Sequence, residues 1–243
     1  MINDVLRKKR ILITGSSRGI GASIARSAKQ KGYEVILHGK DNSALLNELK
    51  DELKSEVVTF DVGDWKAAET KISKLGKLDF LVNCAGINYS APLEELTLED
   101  WQNTYSVNVF GLVGVTKASL PLLKNSRLAR IVNIGSVKGC NTSVGRAAYA
   151  SSKAAVANIT AAMAKEFAPD ILVNCVAPGF VNTDMTKQTM SLRVEAQISS
   201  ALLSRVASVN EISSAVMFFC SEESSFITGQ TLLVDGGFSI KSE

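Results

Sequence analysis

Tyr149 and Lys153 stand four residues apart in Tyr149-Ala150-Ser151-Ser152-Lys153, and an alanine-rich periodic stretch runs on to Phe167. The pattern predicts a helix that begins near Tyr149, with both side chains on one face. A phenol and an ammonium presented together suit proton transfer at oxygen. A free tyrosine titrates near 10, too high for acid–base work at neutral pH. Two neighbours would favour its phenolate: the ammonium and the positive end of the helix. The same lysine could hold the ribose hydroxyls of a cofactor. Alone the pair means little, because Tyr-x-x-x-Lys recurs by chance.

Two further residues give it company. Ser136 follows the apolar run Ile131–Ile134, which places its hydroxyl at a strand end, where it could hydrogen-bond a carbonyl oxygen. Asn108, in Tyr105-Ser106-Val107-Asn108-Val109, sits inside what reads as one long apolar helix, and an amide there needs a partner. The bland readings are a strand-end cap and a satisfied core amide.

These residues need a scaffold. Short apolar runs fall at 11–13, 35–37, 57–60, 80–82, 131–134, 172–176 and 232–234, with helical stretches between every consecutive pair. That alternation predicts α/β architecture: a single doubly wound Rossmann domain over 1–243, with a seven-stranded parallel sheet and helices on both faces. Ligands are expected beyond the carboxyl ends of the strands. The polar stretch from Thr183 to Ser208 is expected to form a mobile lid.

The first strand runs into Thr14-Gly15-Ser16-Ser17-Arg18-Gly19-Ile20-Gly21, and a helix follows. Small residues let the backbone approach a pyrophosphate, and the helix start supplies free N–H groups and a positive dipole end. The spacing is G-x-x-x-G-x-G, and no Gly-Lys-Ser/Thr marks a P-loop. An acidic residue that would bind a ribose 2′-hydroxyl is expected about twenty residues on, at the end of the second strand. Gly39 stands there, with Lys40 beside it, and Arg18 projects from the turn towards the same region. Two cations suit a 2′-phosphate and hence NADP (NADPH). Asp41 keeps NAD as the alternative.

Composition excludes other classes. The 243 residues are 46% hydrophobic and 21% charged, with 27 basic against 24 acidic side chains and a net charge of +3. A chain of this length buries roughly 70–75% of its unfolded surface and needs no metal or disulfide to fold. The basic residues are dispersed apart from Arg7–Arg10, so no nucleic acid is expected. Cys84, Cys140, Cys175 and Cys220 are too widely spaced for a metal knuckle. Neither a signal-peptide core nor a membrane-length apolar run is read, which points to the cytoplasm.

Taken together these pieces resemble the short-chain dehydrogenase/reductase family. The matching residues are Thr14-Gly15 through Gly19-Ile20-Gly21, Asp61-Val62, Asn83-Cys84-Ala85-Gly86, Asn108, Ser136, Tyr149 with Lys153, and Pro178-Gly179 with Thr183. The resemblance implies that Asn108, Ser136, Tyr149 and Lys153 form a catalytic tetrad, with the asparagine backbone placing a water that links the lysine to solvent. It implies that Gly15, Ser17, Arg18, Gly19, Ile20, Gly21 and Lys40 hold the cofactor phosphates. Asp61 and Val62 would hold the adenine end, Asn83, Ala85 and Gly86 the cofactor flank, and Pro178, Gly179, Val181 and Thr183 the nicotinamide. Cys84 replaces a commoner asparagine.

Within the family the chain is most similar to 3-oxoacyl-acyl-carrier-protein reductases, through Pro178-Gly179-Phe180, Thr183–Thr186, Ile227–Thr231 and Val234–Gly237. This implies NADPH-dependent reduction of a small-molecule carbonyl, an acyl thioester on acyl carrier protein. Related enzymes reduce sugars and cyclic ketones. It further implies that Arg127 and Arg130 lie near the active-site mouth and meet the carrier, although Pro169-Asp170 puts a negative charge where the carrier reductases are basic. Arg146 replaces a commoner neutral residue. A homotetramer is implied, with a dimer as the alternative; one interface pairs the long helices around Trp101–Asn125 and Tyr149–Phe167, and the other brings the C-terminal segments together.

Overall fold

A strand covered on both faces has apolar side chains at every position. Seven strands, buried and mostly apolar at the centre of the sheet but exposed along the seventh, occur in a computed structural model that describes residues 8–183 and 201–241. They are β1 (Arg10–Ile13), β2 (Glu34–Gly39), β3 (Glu56–Thr59), β4 (Phe80–Asn83), β5 (Arg130–Ile134), β6 (Leu172–Pro178) and β7 (Thr231–Val234). Their order is β3-β2-β1-β4-β5-β6-β7, and every pairing is parallel. The order reverses between β1 and β4, which opens a crevice at their carboxyl ends.

Alternation along the strands divides the core. Ile11, Ile13, Val35, Leu37, Phe80 and Val82 point to one face, and Leu12, Ile36, Leu81 and Ile131 to the other. The first face is covered by α1 (Gly19–Gln30), α2 (Ala44–Leu53) and α7 (Val209–Phe219). The second is covered by α3 (Trp65–Ile72), α5 (Leu112–Leu123) and α6 (Ala147–Phe167). Cys175 and Cys220 are buried among these apolar side chains, as expected. The expected lid falls mostly on 184–200, outside the described residues.

Two expectations need correction. The stretch with Asn108 is not one regular helix: α4 (Leu98–Tyr105) passes into a π-helical turn (Ser106–Gly111) and then into α5. The run Leu98–Leu123 is also long and apolar enough to cross a membrane by length and composition. Half of its most apolar window is buried, and α5 packs against α3 and β4.

The amino edge of the sheet is tied by Asp79. Its carboxylate accepts from Arg10 N (2.8 Å) and Ser126 Oγ (2.6 Å), and its carbonyl accepts from Arg130 N (3.0 Å). Asp79→Ala would leave buried donors without an acceptor. We expect it to lower unfolding free energy by about 2–3 kcal/mol, measured by urea denaturation.

Candidate active site

The turn after β1 is closed by backbone contact. Gly15 has φ +63°, and a Cβ there would lie 2.7 Å from Ala85 Cα. The loops after β1 and β4 therefore touch main chain to main chain, which only glycine permits here. Thr14 pins them: its Oγ1 accepts from Cys84 N (3.0 Å) and Ala85 N (3.1 Å). Helices α2, α3, α4 and α7 carry side-chain caps from Ser43, Asp64, Thr97 and Ser208, whereas α1 and α6 have none. Their first amides are thus free of side-chain partners at the carboxyl edge. Ser17 and Ile20 are half-buried in the turn, and Gly21 packs against the Gly15 carbonyl. A Cβ on Gly19 would come within 3.6 Å of Thr183 Cγ2, so the turn and the segment after β6 close on each other.

The end of β2 holds Lys40 in an ion pair that the sequence did not foretell, with one addition. Lys40 Nζ pairs with Asp61 (2.8 Å), whose other oxygen accepts from Gly63 N (2.9 Å). The hydrogen bond from Lys40 and then that from Gly63 hold the Asp61 carboxyl below its ordinary range. Val62 is buried against Gly111. Arg18 is exposed and has no ion-pair partner among the described residues. The backbone cradle after β1, with uncapped amides at the start of α1, fits the phosphates of a dinucleotide. The addition is His38, which is buried: its Nδ1 accepts from Gly15 N (3.2 Å) and its Nε2 donates to Phe60 O (3.0 Å). Those partners fix one neutral tautomer. Burial lowers its pKa to about 4. A lone apolar-strand histidine gave no sequence signal of this role.

Tyr149 lies in the first turn of α6, with Lys153 one turn on. Lys153 is 6% exposed, and its Nζ donates to Ile134 O (2.8 Å) and lies 5.9 Å from the Tyr149 ring centroid. Ser136 caps the short turn after β5 by accepting from Lys138 N (3.1 Å). Asn108 Oδ1 accepts from Ile87 N (2.8 Å), and its Nδ2 donates to Ile87 O (2.9 Å) and Ser152 Oγ (3.0 Å). Ser152 Oγ in turn donates to Tyr149 O (2.6 Å). Ser152, which the sequence did not single out, therefore joins the π-helical turn to the helix start. A Cβ on Gly86 would lie 3.3 Å from Asn108 Oδ1 and 3.5 Å from Lys153 Nζ. Two of the four expected residues, Asn108 and Lys153, thus meet at Gly86.

A buried ladder supports them. Asn83 Nδ2 donates to Thr116 Oγ1 (3.0 Å) and Asn133 Oδ1 (2.9 Å), and Asn133 Nδ2 donates to Thr160 Oγ1 (2.9 Å). It crosses β4 and β5 and ends on α6. Pro178 ends β6, Gly179 packs on Asp235, and Val181 bridges to Ala207. Arg127 and Arg130 do not lie near the mouth. Both sit at the amino end of β5, opposite Ser136, and Arg130 is buried with Nη1 donating to Ala129 O (3.1 Å). The resemblance misled here, because a strand separates these residues from the edge that carries Ser136.

A parallel sheet with a phosphate-type turn after β1 and a Tyr–Lys pair at the same edge defines a nucleotide-dependent oxidoreductase. The family profile described as Enoyl-(Acyl carrier protein) reductase matches residues 15–239. The chain is 34% identical to the 3-oxoacyl-[acyl-carrier-protein] reductase of Chlamydia muridarum, over 98% of this chain and 100% of that protein. It is 37% identical to the Aquifex aeolicus reductase of the same name, over 96% and 98%. A gluconate 5-dehydrogenase from Burkholderia cenocepacia, solved with NADP and tartrate, superposes with TM-score 0.92 at 30% identity, over 98% and 97%. The chain belongs to the short-chain dehydrogenase/reductase family and is an oxidoreductase.

His38 gives the site a pH signature. Its folded pKa lies below the unfolded value near 6.5, so above that pH it is neutral in both states. As pH falls towards 4 only the unfolded state takes the proton, and stability is lost. We expect a loss of about 3 kcal/mol across that window. Urea unfolding at stepped pH checks it, and His38→Asn should remove this component.

Proposed function

We propose that the chain is an NADPH-dependent carbonyl reductase that converts 3-oxoacyl thioesters to 3-hydroxyacyl thioesters, with Tyr149 as the proton donor. The observation that carries this reading is the buried Lys153 ammonium, bonded to Ile134 O beside the Tyr149 ring at the sheet's carboxyl edge. NADPH, when bound, supplies the hydride. The Ser136 hydroxyl then hydrogen-bonds the substrate oxygen, and Tyr149 delivers its proton there as charge develops. Lys153 holds the cofactor ribose and favours the phenolate that is left. The side chain of Asn108 holds the Ile87 loop, and its backbone, widened by the π-helical turn, serves the water that returns a proton to Lys153.

Arg18 and Lys40 hold the 2′-phosphate, and Lys40 exchanges Asp61 for it. The thioester substrate is supported by the names of the two relatives. The carrier is acyl carrier protein or coenzyme A. Exposed Arg127 and Asp170 both lie at the amino edge, away from the reacting carbonyl, and neither is assigned to the carrier. Exposed Leu232 and Leu233 on the edge strand β7, with Phe226 and Ile240, support a homotetramer. Residues 1–243 form one domain, and the cytoplasm is the proposed location. A second reading, reduction of a free ketone or sugar acid, is supported by the gluconate 5-dehydrogenase likeness.

Tyr149→Phe should lower kcat for acetoacetyl thioester reduction by about a thousandfold while NADPH still quenches tryptophan fluorescence. Unchanged turnover would overturn the assignment. Lys40→Asp should weaken NADPH binding about tenfold or more relative to NADH. Equal effects on the two cofactors would sink the 2′-phosphate role.

A further inference from the structure

Two cations near the site are unused by this chemistry. Lys138 follows Ser136 by two residues and is half-buried. Its Nζ lies 4.6 Å from the Phe238 ring centroid and 5.5 Å from that of Phe180. The two rings meet edge to face at 5.5 Å. That aromatic seat is built by the chain: Gly179 packs against Asp235, and the Asp235 carboxylate accepts from Gly237 N (3.0 Å) and Ser239 N (2.9 Å) on either side of Phe238. Arg146, three residues before Tyr149, is half-buried too, and its Nη1 donates to Asn88 Oδ1 (2.5 Å) in the loop that follows Gly86.

The two cations feel each other. Burial, and then the charge of Arg146, push the Lys138 ammonium below its ordinary value. Neither has a carboxylate partner among the described residues. Faces of aromatic rings attract an ammonium but do not neutralise it. Half-buried like charges held in position without a counterion are costly, and an oxyanion bound beside them relieves both desolvation and repulsion; the turn that carries Lys138 packs on α6, whose first residue Arg146 precedes. Their placement ties that anion to the reaction. Lys138 N holds the Ser136 hydroxyl, Arg146 immediately precedes α6, and Asn88 lies two residues from Gly86.

We propose that Lys138 and Arg146 form a substrate subsite for an oxyanion, a carboxylate or phosphate carried on the part of the substrate that extends beyond the reacting carbonyl. This rests on the carbonyl-reductase reading and narrows it: the acyl group of the thioester ends in an anion. The hydride and proton transfers at the carbonyl are unchanged, and the anion takes no part in them.

The test is kcat/KM, followed by NADPH oxidation, for three matched pairs: 3-oxoadipyl-CoA against acetoacetyl-CoA, 4-oxopentanoate against its methyl ester, and dihydroxyacetone phosphate against dihydroxyacetone. We expect the anionic member of at least one pair to be preferred by about tenfold or more, through KM. The preferred pair separates carboxylate from phosphate. Lys138→Met and Arg146→Gln should each reduce the preference, and Lys138→Arg and Arg146→Lys should keep most of it. A ratio is read within one preparation, so partial misfolding cancels. Ratios near one in the wild type, or unchanged in both variants, overturn the subsite. Preference for 4-oxopentanoate without turnover of either thioester would remove the thioester reading and leave the subsite standing. No turnover of any of the six compounds would overturn both.

Discussion

One buried ammonium sets the terms for the carboxyl edge of the sheet. Lys153 is almost closed to solvent, and its one hydrogen bond to protein is with the Ile134 carbonyl, the last of β5. A cation so placed is tolerable only if polar groups stay within reach of its remaining protons. The surrounding features follow. Gly86 lacks a side chain where one would press on Asn108 Oδ1. Asn108 fixes the loop on that side. Tyr149 presents its ring one turn earlier on the same helix. The ammonium ties the first turns of α6 to the end of β5, and the phenol stands beside that tie.

What holds α6 in register is a line of uncharged polar groups. Thr116, Asn83, Asn133 and Thr160 link α5, two central strands and α6 through hydrogen bonds of 2.9–3.0 Å. In an otherwise apolar interior each donor has few alternatives, so the ladder specifies one alignment. Thr14 performs the same service for the two loops that line the crevice. The phosphate-type turn and the Tyr–Lys face are thus joined through β4, whose carboxyl end supplies Asn83 and the loop to Gly86.

The strand positions were legible because doubly covered strands are short, apolar and separated by helical periods. The Tyr–Lys pair was legible because a helix fixes the geometry of residues four apart. Other parts were not. The π-helical turn leaves no periodic trace in an apolar stretch, so Asn108 read as an ordinary core amide in a straight helix. Ser152 was hidden between two more conspicuous residues, and His38 looked like a filler in a strand. Arg127 and Arg130 were misplaced because the resemblance says nothing about which end of a strand a side chain occupies. The aromatic seat under Lys138 joins residues 138, 180 and 238, a long-range contact that no local pattern encodes.

His38 is the chain's one histidine, and its two ring nitrogens are already committed to the turn and to Phe60, just after β3. Its proton affinity lies far below the neutral range. The interval in which imidazole usually buffers a protein's behaviour is therefore free of imidazole. A pH-indicator trace of a single turnover near neutrality would be uncluttered by it. Protons taken up there would count the alkoxides quenched, one for each hydride delivered.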